Sequence, residues 1–424
     1  MKTNWIVPRL ETLLIFTLGL GIFVSKPVIY ASSGALVAIA VLRVCFDSSY
    51  RKSLFSSRLT LASIGLFVLG LVATAVHPGT LSEIGWIARK SIYILLLPVL
   101  YLAFHSQGNR TAGLAGAFIG FWVAAILTMQ SIDWQWAGGR IAGATWLVDV
   151  WGVLTGLFAS FLLPRVFQAK QPLILWLLTA ITLLASVGMM IMSGGRGPWL
   201  GFFAGGLIYL LFYQRKTLLI MTVLLIALYF PVKQFAPTPV AYLEDRVMSI
   251  VKTSDDANNP ETYDAGNWVR MSLWKTSLAQ DLHKLHNTPM TFLFGSGPNN
   301  QIHEMRAFFM EWNGMSQTDK ERLMSYDYPG NEVHNMYLDA MGKMGILWTL
   351  SAVLLMLAVI IKSLQIRQRD NQASLAVLVV TVNFMVTGIF YDLLPHWGTF
   401  FLVFFTMLAM HGGQPHKSQS AGFK

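Results

Sequence analysis

Apolar runs of roughly 14 to 25 residues recur along almost the whole of this chain, each near the ~20 residues a helix needs to cross a hydrocarbon core. With 54% hydrophobic and 12% charged residues, against about 25% charged in a soluble domain, the 424 residues describe an all-α polytopic membrane protein. The single cysteine, Cys45, lies inside an apolar run and allows no intramolecular disulfide, so stability must come from packing.

The runs begin with a first span from about Thr12, a second ending near Val44, then 59–76, 86–104, 112–131, 147–164, 172–192, 199–213 and 217–231. After one long polar segment come 335–361, 373–390 and 396–411, which makes about 12 transmembrane helices. The N-terminus carries no convincing small-x-small cleavage site and more spans follow it, so it reads as a retained first span. The expected organisation is transmembrane helices 1–9 over 1–231, a polar segment over 232–333, helices 10–12 over 334–411 and a tail over 412–424, with both termini cytoplasmic.

Charge supports that alternation. The chain holds 31 Lys and Arg against 21 Asp and Glu, but residues 232–333 hold 9 and 13, so the remainder holds 22 and 8. Such a basic excess is what cytoplasmic loops accumulate, and it points away from nucleic acid as a partner. Alternating the spans puts sixteen of those 22 in the cytoplasm. The six exceptions, Lys26, Arg89, Lys90, Arg140, Arg196 and Lys343, fall on or near the outer side and need a reason. A lysine in a tight turn can snorkel, which suffices for Lys26. Lys343 lies about two and a half turns into its helix, where a charge is costly and needs either a buried partner or a substrate contact. Arg89 and Lys90 open a span just after Trp86, a position equally suited to an interfacial belt or to an anion.

The short outer turn Ser193-Gly-Gly-Arg-Gly-Pro-Trp199 carries a clearer signal. Pro198 suits the first turn of a new helix, the glycines permit close backbone approach, and an arginine beside free helix N–H groups offers a bidentate fork for phosphate. Within the polar segment, Met271, Trp274, Leu278, Leu282 and Leu285 are spaced as an amphipathic helix. Asn267 is its expected N-cap, placing Arg270 in the first turn, where a cation opposes the dipole and is not explained by local stability. Phe292-Leu-Phe-Gly-Ser-Gly-Pro298 reads as a structural turn.

His334 stands at the junction of the polar segment and an apolar helix, with Gly330 or Asn331 expected as the cap and Tyr337, Leu338, Met341 and Gly345 on its face. A neutral imidazole at the positive end of a helix can accept a proton at the water boundary. Asp392 and His396, in the last outer turn, could orient that ring or a sugar. Gly342 and Gly345 would let a neighbour pack closely.

Taken together, the Gly-Arg turn before a span, Arg270 followed by Trp274, Leu-Phe-Gly-Ser-Gly-Pro and His-Asn-Met-Tyr-Leu resemble the bacterial O-antigen ligase and polymerase superfamily. The layout of twelve spans around one large segment is similar to the ligase branch. The resemblance implies a GT-C-type fold and transfer of O-antigen from undecaprenyl diphosphate to lipid A-core, at the periplasmic face of the bacterial inner membrane, without metal or nucleotide cofactor. It matches Arg196, Arg270, His334 and Asp392 to the family's functional residues, Asp392 by its place in the layout.

The combined expectation is an inverting glycosyltransferase of lipopolysaccharide biosynthesis. Arg196 and Arg270 neutralise the departing diphosphate and His334 deprotonates the acceptor hydroxyl. Arg89, Lys90, Arg140 and Tyr337 are further substrate contacts. No HExxH, Walker or cysteine-rich pattern suggests a metal or nucleotide, and no carboxylate pair suggests a glycosidase. The rivals are a polymerase using the same donor, and a transporter or flippase of an anionic lipid, which the absence of an internal repeat disfavours.

Overall fold

A computed structural model describes residues 6–76, 81–132, 140–168, 171–252, 264–325, 333–367, 375–394 and 396–411, and among these the only regular secondary structure is helix. The first ten helices are α1 (Ile6–Val24), α2 (Lys26–Phe46), α3 (Ser48–Ser56), α4 (Arg58–Val76), α5 (Leu81–Ala103), α6 (Gln107–Gln130), α7 (Val148–Val166), α8 (Leu173–Met192), α9 (Arg196–Tyr213) and α10 (Arg215–Phe235). The polar segment forms α11 (Pro237–Val251), α12 (Ala265–Asn287), α13 (Pro289–Phe294), α14 (Pro298–Glu311) and α15 (Gln317–Ser325). The chain then returns through α16 (Met336–Arg367), α17 (Leu375–Thr387) and α18 (Trp397–His411).

Among the described residues, eight of these helices are long and apolar enough to cross a membrane, or nine if the pair α3 and α4, bent by 83°, counts as one span. Every stretch expected to span is helical. Three of the expected twelve stand outside that count: α9, whose first turn is Arg-Gly-Pro-Trp, and the shorter α17 and α18.

The core forms around α7, in which Trp151 to Pro164 are buried without interruption. A helix apolar on every side suits a bundle core or a lipid-facing span, and the burial of α7 puts it in the core. Phe158 of α7 packs against Phe23, Phe121 and Phe405 from three other helices. Asn383, a polar residue carried into this core, donates to Ser160 Oγ at 2.7 Å and accepts from Thr387 at 2.8 Å.

α16 is two helices joined at Gly345, whose φ of 84° breaks the ladder. The glycine-rich turn expected to be structural docks on the break. Ser296 N–H donates to Gly342 O and Gly297 N–H to Lys343 O, each at 3.0 Å. Two of the carbonyls at the interruption are therefore satisfied, as apolar surroundings require. The neighbours that pack against Gly342 and Gly345 are Gln301 and this turn.

The amphipathic helix exists as α12, but its buried face combines Trp268, Val269 and Leu273 with polar residues, and most of the expected apolar stripe is exposed. Ser272, Thr276, Ser277, Gln280, Asp281 and Lys284 are buried, whereas Met271, Leu278, Leu282 and Leu285 are exposed. Lys284 accounts for part of this inversion, because it donates to Ser296 Oγ and Gln301 Oε1 at 2.6 Å and so ties α12 to the turn at the α16 break.

Candidate functional site

α8 ends at Met192, and Gly194, with φ of 65°, reverses the chain so that Arg196 opens α9 with Pro198 in its first turn. Arg196 is 9% exposed. A buried guanidinium needs partners on its fork, and it has them: Nη1 donates to Ser249 O at 3.0 Å and Ser249 Oγ at 2.8 Å, while Nη2 pairs with Asp264 Oδ1 at 3.2 Å. The close approach that the glycines permit is used by the protein itself. A Cβ on Gly194 would lie 2.6 Å from the Tyr242 hydroxyl and 3.4 Å from Arg246 Nη2, and one on Gly197 would lie 2.6 Å from the Tyr391 ring.

The Asp264 oxygen that pairs with Arg196 also accepts from Asn267 N–H at 2.8 Å, so Asp264 is the N-cap of α12. Asn267, the expected cap, lies inside the helix and donates instead to Ser249 O and Lys252 O at 2.6 and 2.8 Å. Arg270 consequently sits in the second turn, away from the helix end. A Cβ on Gly266 would be 3.1 Å from Arg196 Nη2 and 3.6 Å from Arg270 Nη1, which places the two guanidiniums side by side. Burial lowers the Arg270 pKa, Arg196 adds to the shift, and Tyr391, Asp149 and Asp264 oppose it. Arg270 Nε is buried without a hydrogen-bond partner, a state that costs free energy until an acceptor arrives.

His334 differs from expectation. It precedes the helix, and the cap of α16 is Asn335, whose Oδ1 accepts from Tyr337 N–H at 3.0 Å and Leu338 N–H at 3.2 Å. Gly330 and Asn331, the expected caps, lie outside the described residues. Since His334 is not helical, the face expected to run from it through Tyr337, Leu338, Met341 and Gly345 does not include it.

His334 has a φ of 54°, a left-handed conformation uncommon for a residue with a side chain. Asp392 holds it there: Oδ2 accepts from His334 N–H at 3.1 Å and Oδ1 from Asn335 N–H at 2.9 Å. Trp274 Nε1 donates to His334 O at 3.4 Å, a contact between α12 and this junction. Tyr337 is directed elsewhere, its hydroxyl donating to Met385 O at 2.9 Å.

His334 lines a cavity of about 320 Å³ together with Asp149, Lys343, Tyr391, Asp392 and His396, with Trp86 and Trp397 also in the wall. Asp149 and Tyr391 join this space to the arginines. Arg140 Nη2 pairs with Asp149, and its Nε donates to Ser193 O at 3.2 Å. Burial, reinforced by Asp149, pushes the Tyr391 hydroxyl up to about 12 against the opposing pull of Arg270 and Arg140. Arg140, Arg196 and Arg270 are thus gathered in one region, behind a wall formed by Tyr391 and Asp149 rather than on the surface of the cavity.

At the other end, His396 Nε2 is 3.2 Å from Lys90 Nζ. Burial, followed by the charges of Lys90, Lys343 and Lys26, pushes the His396 imidazole down to about 4. Lys343 pairs with Asp339 at 2.6 Å, a buried partner of the kind its position requires, and also lines the cavity. Lys26 lies 4.9 Å over the Trp146 ring. Arg89 is exposed on α5.

Sequence reasoning did not single out Asp149, Tyr391, Tyr242 or Arg246. Asp149 alone had a signal available, as an acid in the first turn of an apolar helix.

This is an all-α membrane protein in which one cavity holds a backbone-strained histidine between a guanidinium cluster and a lysine cluster. Residues 181–352 match a family model described as O-antigen ligase, which supports the O-antigen ligase and polymerase superfamily. The matched region contains Arg196, Arg270, His334 and Lys343; Lys26, Lys90, Arg140, Asp149, Tyr391, Asp392 and His396 lie outside it. A comparison with curated proteins finds no match.

Proposed function

We propose that the protein is an O-antigen ligase: an inverting glycosyltransferase that moves O-antigen polysaccharide from undecaprenyl diphosphate to a sugar hydroxyl of lipid A-core. The observation that carries this reading is the position of His334, held strained by Asp392 in a cavity whose wall, Tyr391 and Asp149, touches the arginine cluster. In the reaction, the acceptor oxygen attacks the anomeric carbon and passes its proton to the His334 ring. The bond from that carbon to the diphosphate oxygen breaks, and its electron pair leaves with the diphosphate.

Arg196, Arg270 and Arg140 supply the charge that the leaving group needs, and the unpartnered Arg270 Nε is a donor ready for it. A group fixed in place before reaction stabilises developing charge without reorganising. That accounts for the carbonyl, the hydroxyl and the carboxylate that hold the Arg196 fork.

An apolar groove of about 640 Å³ between α6 and α8 is lined by Trp122, Ile126, Met129, Gly188, Met189 and Met192. It reaches the end of α8, one residue before the arginine turn, and suits the polyprenyl chain of the donor. In this reading the site faces the periplasm, 232–333 is the periplasmic segment, both termini are cytoplasmic, and the helices adopt a GT-C-type arrangement.

A deletion strain provides the test. Loss of a ligase leaves bare core while long polymer accumulates on undecaprenyl diphosphate. Core carrying a single repeat would mean a polymerase, and repeat units held on the cytoplasmic side would mean a flippase.

A further inference from the structure

The cations expected to share one task fall into two groups. Arg140 and Arg270 act on Tyr391, and Arg196 lies beside Arg270. The charges that act on His396 are instead Lys90, Lys343 and Lys26. Between the two groups lies the cavity, with His334, Lys343 and His396 on its surface.

The lysine group carries positive charge that the protein does not fully answer. Asp339 pairs with Lys343, but among the described residues neither Lys26 nor Lys90 makes an ion pair. Their recorded partners are neutral: the Trp146 ring for Lys26, and His396 and the Trp86 ring for Lys90. Tryptophan faces attract a cation without cancelling its charge. An ammonium can only donate, so His396 Nε2 accepts from Lys90, and the remaining proton of the neutral ring is on Nδ1 as a further donor. Ammonium groups and an imidazole N–H, gathered at the mouth of apolar helices, are stabilised when an anion occupies the space between them.

We propose that this end of the cavity, lined by Lys343 and His396 with Lys90 held against His396, is the subsite for a phosphate group carried by the acceptor. The inference rests on the transferase reading above and extends it: two substrates meet at His334, the donor diphosphate from the arginine end and the acceptor phosphate from the lysine end. The chemistry of the two ends fits this division. Guanidinium forks fix an oxyanion in one orientation, as a leaving group requires, whereas ammonium groups act as point charges that retain an anion without dictating its geometry. A phosphorylated lipid A-core and a second lipid-diphosphate-linked repeat unit both carry such a group, so the subsite serves ligase or polymerase alike.

The test uses the purified full-length protein in lipid nanodiscs with Lys90→Met and Lys90→Arg, each first checked for an unchanged melting temperature. KM is measured separately for undecaprenyl-diphosphate-linked O-antigen and for lipid A-core, intact or stripped of phosphate, and binding of both core forms is measured without donor. Lys90→Met should raise the acceptor KM about tenfold to hundredfold, leave donor KM within about twofold, and be rescued by Lys90→Arg. Stripped core should show the raised KM in the parent with no further rise in Lys90→Met. A rise in donor KM instead, or equal use of intact and stripped core by the parent, overturns the proposal. If the parent transfers to neither form, the ligase reading fails separately. The subsite then stands only if intact core binds the parent more tightly than stripped core and Lys90→Met removes the difference; equal binding, or none, ends it.

Discussion

The arginine end and the lysine end of the cavity are both cationic, yet they are built differently. At the arginine end two of the three charges are directed: Arg196 is held by Ser249 and Asp264, and Arg140 by Ser193 and Asp149. At the lysine end, among the described residues, Asp339 pairs with Lys343 and the groups against Lys26 and Lys90 are neutral. The difference teaches that the cations around one cavity in a membrane protein are not one population. A guanidinium surrounded by acceptors is an oriented tool, while an ammonium beside aromatic rings is a source of potential.

The largest expected effect lies between the two ends. His334→Ala should lower the transfer rate by about 10²- to 10⁴-fold, the usual worth of a general base, with the protein still folded in the membrane. A fully active variant would remove the chemistry from the cavity centre. Arg270→Lys should cost about tenfold to hundredfold in kcat/KM, because a point charge replaces a fork that makes charge-assisted bonds. If the lysine variant matches the parent, the contrast between the two ends has no chemical meaning.

Asp392→Asn should reduce the rate about tenfold, since one of two adjacent backbone N–H groups loses its acceptor. Because Asp392 acts through His334, the double variant should be no slower than His334→Ala alone. An additive loss would give Asp392 a role of its own.

A smaller effect belongs to the lysine end and concerns stability. The folded His396 pKa of about 4 lies below the ordinary value of 6.5. As pH falls from 6.5 towards 4 the unfolded chain therefore binds a proton that the folded protein refuses, and stability is lost across that window. Melting temperatures measured from pH 7 to 4 should show a shallower decline in His396→Gln. An unchanged profile would mean that burial and the neighbouring lysines do not keep the His396 ring from taking up a proton. The smallest effect is none: added chelator should leave transfer unaltered, and inhibition reversed by a divalent cation would replace the all-protein mechanism at both ends.

Much of the fold was legible because its cause is local. An apolar run of spanning length has few options in a bilayer, and every expected span is helical. Positions inside helices were less legible. Asp264 and Asn267 are both good caps, as are Asn331 and Asn335, and the choice was made by distant partners: Arg196 for Asp264, and Asp392 for the residues around Asn335. The stripe on α12 was read correctly as a helix, but its spacing carried no information about which face would be covered. Inside a membrane protein, buried polar side chains with partners and exposed leucines can exchange the usual sides.

The site followed the same division. His334, Arg196 and Arg270 stood out by residue type and by their place at span ends, and Asp392 by layout. Tyr391 and Asp149, which connect them, did not, because a tyrosine in a loop and an acid near a helix start are unremarkable until their neighbours are known.

What the sequence by itself determined is an all-α polytopic membrane protein, with a set of cations that its charge pattern leaves unexplained. Hydrophobicity and charge are properties of single residues, and the bilayer sorts them without reference to the rest of the chain. Only the tertiary structure decided that those cations form two groups on either side of one histidine, and that a distant aspartate holds its backbone in a strained turn. Direction and adjacency arise from packing between segments far apart in sequence, and no local pattern encodes them.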